Sequence, residues 1–125
     1  MGILKDLWNK ICTGYVYRQV ETIQYPDFES GFVVREKICF SGKVQKVGFR
    51  LQVCLIADKL GLTGWVKNHI SGDVLAEIQG EKSRIVFLKN YMKSLKRANV
   101  KRIETVELPI IDNEKAFVII RSDQS

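Results

Sequence analysis

From Val33 onward the apolar positions fall into alternating and helical rhythms that follow one another in a definite order. Val34, Ile38 and Phe40 mark a strand that stops at Gly42. Leu51, Val53, Cys54, Leu55, Ile56, Ala57 and Leu60 then make an apolar segment of helical length, with Gly61 where a C-terminal cap belongs. LTGWVKN predicts a second strand. The turn at His69–Gly72 leads into DVLAEIQG, where Val74, Ala76 and Ile78 alternate with Asp73, Leu75 and Glu77. Ile85, Leu88, Met92 and Leu95 share one face of a second helix. RIETVEL alternates again, and AFVII predicts a short last strand beyond the turn Asp112–Lys115.

The order is βαββαβ with one strand added. Two split β-α-β units joined by right-handed crossovers predict an α+β ferredoxin-like sandwich: an antiparallel sheet with both helices on one face. Before Val33 the rhythm is weaker. Ile3, Leu4, Leu7, Trp8 and Ile11 recur at helical spacing and suit a short amphipathic helix packed on the domain, on a second copy or on a membrane surface. YVYRQVETIQY is aromatic and β-branched and reads as a strand or an ordered arm. The expected organisation is an extension at 1–33 that carries no recognisable chemistry, a domain at 34–122 and a tail at 123–125.

Charge divides the chain at the same place. The whole carries +6, yet residues 1–33 hold three basic and four acidic residues, so 34–125 carry +7. Such an excess favours an anionic partner: phosphate, nucleic acid or an acidic membrane. Cys12, Cys39 and Cys54 are too few and too far apart for a zinc site, and an unpaired count suits a reducing, cytoplasmic setting. The N-terminal residues lack the unbroken apolar run of a signal peptide, no stretch has the length of a transmembrane span, and Asp6 stands where a myristoylation signal needs Ser or Thr.

The excess charge is sharpest in SGKVQKVGFR, residues 41–50. The first N–H groups of a helix have no internal acceptors, and the macrodipole adds positive potential there, so acidic residues or Ser, Thr, Asp and Asn caps are usual. This helix opens on Gly48-Phe49-Arg50 instead, and no Asp or Glu occurs between Glu36 and Asp58. An arginine at that end forfeits about 0.3–1 kcal/mol against the dipole. An anion bridging backbone N–H groups and the guanidinium reverses the balance, and the planar fork of Arg50 suits phosphate. The plainer reading is a strand–helix turn with solvated cations. The loop is not a Walker A sequence, since it lacks the Gly-Lys-Ser/Thr ending.

Residues 42–50, GKVQKVGFR, resemble the acylphosphatase signature G-x-V-Q-G-V-x-F-R. Gly64-Trp65-Val66-Lys67-Asn68, followed by Gly72, Val74 and Gly80, resembles that family's second signature, G-W-V-x-N-x-x-x-G-x-V-x-x-x-x-x-G. Asn113-Glu114-Lys115 has a family look as well. The resemblance implies hydrolysis of carboxyl–phosphate anhydrides without metal, cofactor or covalent intermediate. By position it makes Arg50 and the backbone amides of Gln45, Lys46, Val47, Gly48, Phe49 and Arg50 the phosphate-binding set, and Asn68 the residue that orients water. The implied partner is a small acyl phosphate, with inorganic phosphate or sulfate fitting the same loop. Lys46 departs from the pattern by replacing a glycine, which matters if that position needs a positive φ.

Other readings of these residues are plainer. His69 is the only histidine and reads as a turn residue rather than a general base. Trp65 reads as a core or platform residue. Asn68 alone would pass for a strand-end residue. Ser41 and Ser71 have no base at motif spacing. Lys82, Lys89, Lys93 and Lys96 share one face of the second helix, with Arg97, Lys101 and Arg102 beyond it, which keeps alive a binding-only module for anions or nucleic acid. The RNP signatures of ferredoxin-like RNA-binding domains are missing, so nucleic acid is not the expected partner. Self-association through residues 1–33 is the other partner the sequence allows.

Overall fold

The computed structural model describes residues 14–45 and 48–121. The amphipathic segment at Ile3–Ile11, loop residues Lys46 and Val47, and the tail at 123–125 lie outside those residues. Helix α1 spans residues 14–21. There follow β1 (Val33–Lys43), α2 (Phe49–Lys59), β2 (Thr63–Asn68), β3 (Val74–Glu81), α3 (Lys82–Ser94), β4 (Asn99–Leu108) and β5 (Phe117–Ile120).

The five strands form one sheet in the order β4-β1-β3-β2-β5. The β1–β4, β1–β3 and β2–β3 pairs are antiparallel, as the split β-α-β pattern predicts. The terminal strand joins parallel to β2, with Trp65 opposite Val118 and Val66 opposite Ile119, so the finished sheet is mixed. Period-two alternation sends Val34, Ile38, Phe40, Val66, Val74, Ala76 and Ile78 to one face, where they are buried with Val53, Ile56 and Ala57 of α2 and Ile85, Leu88 and Met92 of α3. α3 begins at the residue after β3 ends.

The stretch with strand-like composition at 15–25 is helical over its first part. Tyr15 and Tyr17 alternate as a strand would, but Val16 and Val20 are one turn apart and are buried together, at 1% and 3% exposure. Burial of that pair outweighs local propensity. Beyond α1 the chain runs extended across α3. Tyr25 and Phe28 pack against Phe87 with ring centroids 5.5 and 5.6 Å apart, and the Arg84 guanidinium lies 4.9 Å from the Phe28 ring. Residues 14–32 thus form a third layer on the helices.

Two buried charges brace the sheet. On the helix-covered face, Glu36 receives Lys89 Nζ at 2.9 Å and Lys82 Nζ at 3.8 Å. Two lysines of the basic stripe on α3 are therefore engaged with a buried carboxylate, which weakens its reading as a nucleic-acid surface. On the opposite, open face, Arg35 is 1% exposed and donates to Glu77 Oε1 at 3.0 Å, Gln79 Oε1 at 3.1 Å, and Glu114 Oε1 and Oε2 at 2.8 and 3.3 Å. That network fastens the β4–β5 connection to the sheet.

Candidate active site

β1 and β2 run in the same direction, so Lys43 and Asn68 finish at the same end of the sheet, where α2 begins. Topology alone therefore collects the loop, the arginine and the asparagine in one corner.

The loop is anchored by its apolar members. Val44 is fully buried, and the buried Phe49 ring meets Phe40 edge-on at 5.1 Å. Those side chains face the core, which leaves the loop its backbone for any ligand. Gly48 caps α2 at φ 75° and ψ 17°, a left-handed conformation that a β-carbon would strain. The helix starts with no side-chain cap and no acidic residue in its first turn, so the positive end that the sequence predicts is present. Arg50 occupies that first turn and is partly exposed.

Gln45 has a function that its place in the motif did not reveal. Its Nε2 donates to the carbonyl oxygens of His69 at 2.8 Å and Asp73 at 2.9 Å. One side-chain amide thereby clamps the loop to the turn that follows Asn68. Only its length, sufficient to reach a neighbouring turn, marks it in the sequence.

Asn68 ends β2 opposite Val74, on the face that the helices cover. Its Oδ1 is buried and has no hydrogen-bond donor among the described residues. A buried amide oxygen without a partner costs about 1–3 kcal/mol, so such atoms are rare unless a water or ligand serves them. β2 approaches β3 closely at Gly64, where a β-carbon would lie 1.8 Å from the Glu77 carbonyl oxygen, and this seats the strand that carries Asn68.

The remaining polar neighbours are structural. His69 Nδ1 lies 2.9 Å from Ser71 Oγ and accepts the Ser71 N–H at 3.1 Å, which orders the turn. Cys39 donates its thiol to Asp73 Oδ2 at 3.5 Å; burial pushes the thiol up, and the Asp73 and Glu104 carboxylates add to the effect, so it stays protonated. Trp65 stands half-buried on the open face with Lys67 Nζ 5.5 Å from its ring centroid. It is a platform rather than a core residue. Among the described residues no group of three or more His, Cys, Asp or Glu side chains is placed to hold a metal ion. No helix among them is long and apolar enough to cross a membrane.

The family model described as Acylphosphatase matches residues 36–119. The chain belongs to the acylphosphatase family. An acylphosphatase of Clostridium beijerinckii is 40% identical over 88 residues, covering 70% of this chain and 98% of the relative. The crystal structure of the Bacillus subtilis acylphosphatase aligns with a TM-score of 0.65 at 31% identity, covering 70% of this chain and 98% of that one. An acylphosphatase from Coxiella burnetii aligns equally well, at 32% identity. These likenesses support acylphosphatase activity over a binding-only module on the same fold. The matched stretch begins after the extension, so α1 and the segment leading from it to β1 lie outside it.

Proposed function

We propose that the protein hydrolyses the carboxyl–phosphate bond of small acyl phosphates, with Arg50 and the amides of residues 45–50 holding the phosphoryl group and Asn68 orienting water. Water attacks phosphorus as the bond to the acyl oxygen breaks. The carboxylate leaves with that electron pair, and a phosphate oxygen takes the proton, giving carboxylate and dihydrogen phosphate. A mixed anhydride has a good leaving group, so positioning and charge stabilisation suffice without a strong base. The buried Asn68 Oδ1 carries this reading: it is an acceptor without a partner among the described residues, at the end of the sheet where α2 begins, and it can take a water proton. The partly exposed Arg50, in a first helical turn that contains no acidic residue, supplies the complementary cation. Inorganic phosphate or sulfate would occupy the same loop.

The test is hydrolysis of benzoyl phosphate, with EDTA present, by the parent, Asn68→Ala and Arg50→Ala. Each variant should lose about 10²–10³ in kcat while remaining folded. Full activity in either one removes that residue from the mechanism.

A further inference from the structure

We infer that α1, which lies outside the stretch matched by the family model, is a positioning element of the phosphate loop, with Val16 and Gln19 as its working residues. The inference rests on the reading of residues 43–50 as the phosphate site.

Gly48 is the joint between loop and helix. Among the described residues, a β-carbon built on it would meet Val16 Cγ2 at 2.8 Å. The Val16 methyl group therefore rests on the backbone of Gly48. Glycine is the residue least able to hold a conformation by itself. A buried side chain seated on it from one side, with Phe49 locked against Phe40 next door, confines that joint.

Hydrogen bonds reach the same joint by a second route. Gln19 Oε1, one turn along α1 from Val16, accepts from Gln52 Nε2 at 3.0 Å and from Arg97 Nη1 at 2.8 Å. Arg97 also donates through Nη2 to Gln52 Oε1, and its guanidinium lies 5.2 Å from the Tyr15 ring. Gln52 is wholly buried, and its backbone N–H bonds the carbonyl of Gly48 at 3.0 Å. One residue thus ties α1 through its side chain and the loop glycine through its backbone. That backbone bond is the first of α2, so α1 holds by its side chain the very residue whose N–H closes the helix onto Gly48.

Val16 and Val20 provide an internal control. They are the same residue, buried on the same face one turn apart, and only Val16 meets Gly48. Val16→Ala and Val20→Ala should lower Tm to a similar extent. Well below Tm, Val16→Ala should raise KM for benzoyl phosphate and the inhibition constant of inorganic phosphate by roughly tenfold, with a smaller fall in kcat, because an ångström of misplacement is costly in a positioned site. Val20→Ala should keep parental values. If Val16→Ala does not fold, Val16→Ile keeps the apolar contact, adds a methyl group against Gly48, and should raise the same two constants. An active parent whose Val16 variants bind phosphate and substrate as Val20→Ala does overturns the inference alone. A parent that neither hydrolyses benzoyl phosphate nor binds phosphate overturns the phosphate-site reading, and the inference with it.

Discussion

Arg35 and Asn68 sit in two polar regions of one sheet that are built on opposite plans. Around Arg35 a buried guanidinium is met by two carboxylates and an amide oxygen, and its charge is matched. Burial opposes that charge, yet the bonds to Glu114 and Glu77 prevail and raise the Arg35 pKa. At the end of β2, by contrast, a buried amide oxygen lacks a donor among the described residues, at the end of the sheet where α2 begins with no acidic residue in its first turn. The first network is complete and holds the fold. The second is left open, and an unserved polar atom of this kind is typical of a site arranged for a ligand.

Separate substitutions test this contrast. Arg35→Ala strands Glu77 and Glu114 and should cost about 3–5 kcal/mol in denaturant unfolding, leaving kcat near parental at temperatures where the variant is folded. Gln45→Leu releases the clamp on the carbonyls of His69 and Asp73; it should cost about 1–3 kcal/mol and lower kcat/KM as the loop drifts from the turn. Asn68→Ala removes an acceptor that is unserved among the described residues, so thermal unfolding should show stability unchanged or raised by up to about 1 kcal/mol even as activity collapses. A large loss of stability in that variant would place Asn68 with Arg35 as a structural residue.

The smallest effect is in the pH dependence. Burial pushes the Glu114 carboxyl up, but bonds from Arg35 and Thr63 outweigh it and hold its pKa below the ordinary 4.5. A carboxyl depressed in the folded state contributes stability above its unfolded pKa and loses it as pH falls through the folded one. Glu114→Gln should therefore be less stable than the parent at neutral pH, with the gap closing below about pH 4.5. A gap that persists unchanged at pH 2 would mean that the loss is one of shape rather than charge.

Strand and helix order was readable from periodicity, because each element rests on a local repeat that burial reinforces; the loop stood out by its charge and glycines, and Asn68 only by its place in the second signature. The helical state of residues 14–21 was not. Tyr15, Val16 and Tyr17 fit an alternating strand as well as a helix, and only the distant core residues among which Val16 and Val20 are buried decide between them. The partner of two lysines in the basic stripe was hidden for a related reason. Lys82 and Lys89 look like solvated charges until Glu36, some fifty residues earlier, is found beneath them. The Gln45 clamp and the Val16 contact with Gly48 are likewise long-range, and no spacing in the sequence encodes them.

The strand order also decides how this protein behaves in a crowd of its own copies. An open sheet has two borders whose unpaired N–H and C=O groups can recruit a strand from another molecule. Here one border is β5, only four residues long. The other is β4, where Lys101, Arg102, Glu104 and Glu107 punctuate the strand and leave an incoming neighbour few places to pair without meeting a charge. Resistance to fibrous stacking is thus written into the two outermost strands, separately from the corner that holds the loop and Asn68.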